Sequence, residues 1–103
     1  MASTIRVRAQ ANGDSTEVQA LVQHPMDSGF VKDSNGNVIP PHYIETVKFE
    51  HDGKVVLLAD WGPAVSKDPY VKFSFKGGAK GDPLVVTWVD NQGKTDTLTT
   101  KLA

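Results

Sequence analysis

Residues 42–61 read HYIETVKFEHDGKVVLLADW, and the fold turns on them. Asp52-Gly53 separates two apolar-rich runs, about His42 to Glu50 and Lys54 to Trp61, and supplies the positive φ that a tight hairpin turn needs. Two antiparallel strands are expected here. Val55-Val56-Leu57-Leu58-Ala59 is apolar at every position, so one face of its strand should meet the core and the other a loop or a partner.

Alternation with a period of two continues in both directions from this hairpin. Upstream, Ile5, Val7 and Ala9 share one face of a strand over Ile5 to Ala9 while Arg6 and Arg8 share the other. Asn12-Gly13-Asp14 ends it, and a second strand follows over Thr16 to Gln23. Downstream, Val71, Phe73 and Phe75 align in Tyr70 to Lys76, and Leu84, Val86 and Trp88 align in Leu84 to Asp90. A hairpin at Asn91-Gln92-Gly93-Lys94 leads into Thr95 to Thr100, whose single large apolar residue, Leu98, marks an exposed edge. No stretch carries the 3.6-residue apolar stripe of a helix. Seven short strands with turn signals at intervals of roughly ten residues predict an all-β, immunoglobulin-like sandwich of antiparallel strands. At 103 residues the chain suits one domain spanning 1–103. Lys101-Leu102-Ala103 reads as a frayed end with no role.

Composition narrows the function. The chain is 39% hydrophobic and 22% charged, with a formal net charge of −1, so neither nucleic acid nor an anionic membrane is an expected partner. No apolar run approaches the roughly 20 residues of a membrane span. Met1-Ala2-Ser3-Thr4-Ile5 enters strand alternation without a basic segment and apolar h-region, which gives no signal peptide. Cysteine is absent, and with it go disulfides, thiolate ligands and cysteine nucleophiles.

No nucleophile, base and orienter set is recognisable, so no catalytic residue is expected. His24, His42 and His51 stand eighteen and nine residues apart, a spacing that matches no metal-ligand motif, and no metal or other cofactor is predicted. His24-Pro25-Met26 pairs an imidazole with a thioether, donors that suit Cu(I). The competing reading has His24 capping a strand end and Met26 filling a gap beneath a loop. Gly77-Gly78-Ala79-Lys80-Gly81 leads into a strand, unlike a phosphate loop, which opens a helix.

Two irregular segments are the candidate contact surfaces. From His24 to Pro41 the alternation lapses into a long excursion, with a tight turn at Ser34-Asn35-Gly36-Asn37. Trp61 to Pro69 combines an aromatic residue, two prolines and a glycine into a stiff loop. Residues expected to touch a partner are His24, Pro25 and Met26, Val55 and Leu57 on the two-sided strand, and Trp61, Gly62, Pro63, Val65 and Lys67. Trp88 is expected in the core.

Read in order, Val7-Arg8-Ala9, His24-Pro25-Met26, Lys32-Asp33, Ile39-Pro40, Trp61-Gly62-Pro63, Val65-Ser66-Lys67, Phe75-Lys76-Gly77 and Val86-Thr87-Trp88-Val89-Asp90-Asn91 resemble the SoxZ family over nearly the whole chain. SoxZ is the smaller subunit of the SoxYZ sulfur carrier of bacterial thiosulfate oxidation. The resemblance implies a heterodimer with SoxY, whose cysteine bears the sulfur intermediates on a glycine-rich arm, and transient contact with other Sox enzymes. It also implies a periplasmic protein exported on its partner's signal, and no catalysis of its own. A chain without cysteine cannot itself form the sulfur linkage, which agrees with that division.

Overall fold

In the computed structural model, which describes residues 4–103, seven strands follow one another: β1 (Ile5–Asn12), β2 (Ser15–Val22), β3 (Ile44–His51), β4 (Lys54–Asp60), β5 (Tyr70–Lys76), β6 (Pro83–Asp90) and β7 (Thr95–Lys101). Met1 to Ser3, with which the expected domain begins, lie outside the described residues. One sheet has the order β1-β2-β5 and the other β4-β3-β6-β7, every pairing antiparallel. This is the immunoglobulin-like sandwich that the alternation predicts.

The core forms where the inward residues of the two sheets meet. Ile5, Ala9, Val18, Ala20 and Val22 face Ile44, Val47, Phe49, Leu84, Val86 and Trp88, and all are buried. Phe49 and Phe73 meet across it edge to face with centroids 4.8 Å apart, a favoured aromatic geometry. Full burial of a side chain as large as Phe49 stabilises by roughly 1.5–3 kcal/mol.

Two departures from strict alternation matter. A bulge between Phe49 and Glu50 in the β3–β4 ladder sets Leu57 opposite Phe49 and Val55 opposite Glu50, leaving Val56 as the extra residue. Simple parity puts Val55 and Leu57 on one face; the bulge instead turns Leu57 to the core and leaves Val55 outside with Leu58. The C-terminus is the second departure. Leu102 is fully buried, and Ala103 hydrogen bonds to β1 through Ala11 N–H to Ala103 O and Ala103 N–H to Ala9 O, both 2.9 Å. The expected frayed end is therefore a clasp between the sheets. Gly78, at φ 93°, lies beneath it: a Cβ there would strike the Thr16 hydroxyl and come within 3.0 Å of Leu102.

Candidate functional site

At one end of the sandwich the long excursion leaves β2 and re-enters at β3, beside the loop that joins β4 to β5. His24 closes the gap between these segments. Its amide donates to Asp68 Oδ1 and its carbonyl accepts from Asp68 N–H, each at 3.0 Å, so the excursion and the Trp61–Pro69 loop are stitched side by side. Asp68 holds φ 51° to make both bonds.

The His24 ring points inward to a second anchor. Its Nε2 lies 3.1 Å from Asp90 Oδ2, and His42 Nε2 lies 2.7 Å from the same oxygen. The other carboxylate oxygen, Oδ1, accepts the backbone N–H groups of Gln92 at 3.0 Å and Lys94 at 2.8 Å. Asp90 is only 1% exposed and His24 4%, so this is a buried anion met by four donors. Burial works to raise the Asp90 pKa, but the hydrogen bonds from His24, Lys94, His42 and Gln92 outweigh it and hold the carboxyl below its ordinary value. The two imidazoles pack edge to face with centroids 4.5 Å apart, and Trp88 meets His24 at 5.1 Å. Trp88 Nε1 in turn donates to Thr4 Oγ1 at 3.0 Å, and that hydroxyl donates to Asp96 Oδ2 at 2.7 Å.

The ligand-type atoms of His24, His42 and Asp90 lie within 4.8 Å of one another, compact enough for a metal ion. Hydrogen bonding argues against that use. The Met26 amide donates to His24 Nδ1 at 3.2 Å, which fixes the ring proton on Nε2, facing Asp90. Coordination through Nε2 would require the proton on Nδ1, against another donor. Met26 Sδ likewise accepts the Ile44 amide at 3.4 Å, and Met26 is buried. Both donors considered for Cu(I) are thus occupied by backbone N–H groups, and the reading of His24 and Met26 as internal struts is the one the geometry supports.

Each predicted contact residue now has a position. His24 and Met26 are buried within the chain with exposed Pro25 between them, so a partner would meet Pro25 and not its neighbours' side chains. Trp61, Gly62 and Val65 are half-buried, Pro63 and Lys67 exposed, Val55 exposed and Leu57 half-buried. The excursion projects Phe30, 89% exposed, with Val31 and Val38, on an arm closed by Asp33 N–H to Asn37 O (2.8 Å) and Ile39 N–H to Val31 O (2.8 Å). His51 joins neither of the other histidines. It sits at the far end of β3, where Nε2 pairs with Asp82 Oδ2 at 2.9 Å. Neither Asp90 nor His42 is among the residues singled out from the sequence as a partner contact.

A family profile described as "Sulphur oxidation protein SoxZ" matches residues 5–101. The chain belongs to the SoxZ family. That membership places it in sulfur oxidation, in a family that is generally non-catalytic and associates with Sox pathway partners such as SoxY. No curated protein matches the chain in sequence. Among solved structures, the hypothetical protein PH1083 from Pyrococcus horikoshii OT3 aligns with a TM-score of 0.66 at 18% identity, covering 97% of this SoxZ-family chain and 88% of the other, a likeness of fold.

The His51 N–H bond, the Ala79 amide and the charge of His51 lower the Asp82 pKa despite some desolvation. A carboxylate that binds its proton less tightly when folded stabilises the fold above the unfolded value, here 3.8, and loses that contribution as pH falls through the lower folded value. Asp82→Asn is therefore expected to lower the melting temperature slightly at pH 5, with the gap from the parent closing as the pH falls below 3.8 and through the lower folded value. Parallel thermal melts across that range check it; a gap that persists at the lowest pH contradicts the linkage.

Proposed function

We propose that this chain is the non-catalytic subunit of a SoxYZ sulfur carrier: it pairs with SoxY, covers apolar surface on it, and helps dock the complex to the enzymes that load and process sulfur. It works in the periplasm, exported together with SoxY on the partner's signal. The observation that carries the reading is the family match over residues 5–101, on a chain with no cysteine of its own.

The outer face of the four-stranded sheet supports it. Val55 and Leu58 on β4, 54% and 59% exposed, and Val89 on β6 are apolar positions on a face that also carries Thr46, Thr87 and Thr97, Asp60, and the Lys48–Glu50 ion pair at 3.4 Å. A sheet face that pairs exposed apolar side chains with a few polar and charged ones suits a stable partner interface, and we assign it to SoxY. The stitched loops, with Phe30 on the arm and Pro63 and Lys67 beside it, offer a smaller projecting surface suited to transient contact with other Sox enzymes.

Co-expression with SoxY, followed by size-exclusion chromatography and intact mass spectrometry, tests the proposal. A one-to-one complex with sulfur adducts only on SoxY is expected. A chain that elutes alone beside abundant SoxY would sink the reading.

A further inference from the structure

The outward face of the other sheet has a charge unlike that of the whole molecule. Strand register sets Arg6, Leu21 and Tyr70 in one row across β1, β2 and β5, with Arg8, Gln19 and Lys72 in the next. Lys76 lies further along the same face, and Glu17 is its one acid, on a chain whose formal net charge is −1. Glu17 is already engaged: Oε1 accepts from Gln19 Nε2 at 3.1 Å and lies 3.7 Å from Lys72 Nζ. Arg6 and Arg8 have no ion-pair partner among the described residues.

An open groove of about 390 Å³ runs between them, lined by Arg6, Val7, Arg8, Gln19, Leu21 and Tyr70, with no carboxylate in its wall. Residues two apart on a strand project from the same face about 6.6 Å apart. Two guanidinium forks at that spacing can bracket one tetrahedral oxyanion, each presenting paired N–H donors. The Tyr70 hydroxyl adds a neutral donor, and half-buried Leu21 lies between Arg6 and Tyr70 in the same row. Tyr70 follows directly on Pro69, whose carbonyl accepts the Val22 amide at 3.0 Å, so the groove opens beside the loops at the docking end.

We infer that the Arg6–Arg8–Tyr70 groove binds a small, doubly charged oxyanion of sulfur. The choice of sulfur rests on the proposed carrier function; the preference for a tetrahedral dianion rests on two guanidinium groups with no ion-pair partner among the described residues. An anion held there would sit on the three-stranded sheet, beside the loops proposed to meet the pathway enzymes and away from the face assigned to SoxY.

The test is an NMR titration of the isotopically labelled full chain with thiosulfate, against sodium chloride at matched ionic strength. Saturable shifts are expected at the amides of Arg6, Arg8, Leu21 and Tyr70, with a midpoint on the order of 1 mM. The Arg6→Gln/Arg8→Gln double variant changes only exposed side chains and should weaken the response at least about tenfold. Shifts that do not saturate, that chloride reproduces, that survive in the double variant, or that appear with phosphate but not thiosulfate overturn the inference. Co-purification with SoxY runs alongside for both proteins. An intact complex with a silent groove overturns the anion site alone, whereas no complex for the parent chain overturns the carrier reading.

Discussion

Asp90→Asn should unfold at a midpoint roughly 12–20 °C below the parent, a loss of about 3 kcal/mol for a domain of this length. The change is isosteric, so the loss comes from donors and acceptors alone. Asp90 Oδ1 faces two backbone N–H groups and Oδ2 faces two ring nitrogens. An asparagine NH2 must turn toward one of these pairs. Toward Gln92 and Lys94 it opposes two fixed amide donors. Toward the histidines, His42 can change tautomer and accept, but His24 cannot, because the Met26 amide holds its Nδ1 as an acceptor. One buried N–H is left without a partner in the best arrangement, at a cost of about 1–3 kcal/mol, and the charge assistance of the remaining bonds is also lost. Thermal and urea unfolding measure the difference. A midpoint within about 3 °C of the parent would mean that the four-donor anchor contributes little.

That anchor was partly legible in the sequence. Leu84, Val86 and Trp88 define the inward face of β6, and the same parity carries on to Asp90. A carboxylate on a core-facing position must be met by donors, and the following Asn91-Gln92-Gly93-Lys94 turn brings two backbone N–H groups to it. His24 and His42, by contrast, come from either end of an excursion whose path local alternation does not encode, so their meeting at Asp90 is a tertiary fact. The strands were legible because each has one face in the core and a turn signal at its ends. The β4 side chains were read less well, since a one-residue bulge reverses the parity of Val55 relative to Leu57 and leaves no distinct residue pattern in an all-apolar run. Leu102 was missed for a similar reason: a lone leucine at a chain end carries no periodicity, and its burial depends on Ala103 reaching β1.

The anchor also bears on how the chain would work with a partner. The two loops proposed for docking, one of them carrying the arm, contain little regular hydrogen bonding, and loops of that kind lose affinity when binding must first order them. Here Asp90, His24 and Asp68 tie both loops to the end of the sandwich in the unbound chain. A surface held in this way can meet several enzymes in turn without being rebuilt for each.

The association with SoxY is expected to be lost in the double variant Val55→Asp/Leu58→Asp while the isolated chain remains folded. Both side chains are more than half exposed and point away from the core, Val55 opposite Glu50 and Leu58 opposite Lys48, so the stability of the chain itself should change by less than about 1 kcal/mol. In a complex that covers this face, two carboxylates would be taken from water, one opposite Glu50 and the other sharing Lys48 with Glu50, at a cost that weakens binding by more than about a hundredfold. Arg6→Gln/Arg8→Gln on the opposite sheet serves as the control and should retain the complex, since no part of the proposed SoxY face includes those residues. Size-exclusion chromatography of co-expressed subunits, with a thermal melt of each variant alone, separates lost association from lost folding. If the aspartate variant still co-elutes with SoxY at parental yield, the four-stranded face is not the interface, and the arm carrying exposed Phe30, Val31 and Val38 becomes the next surface to test.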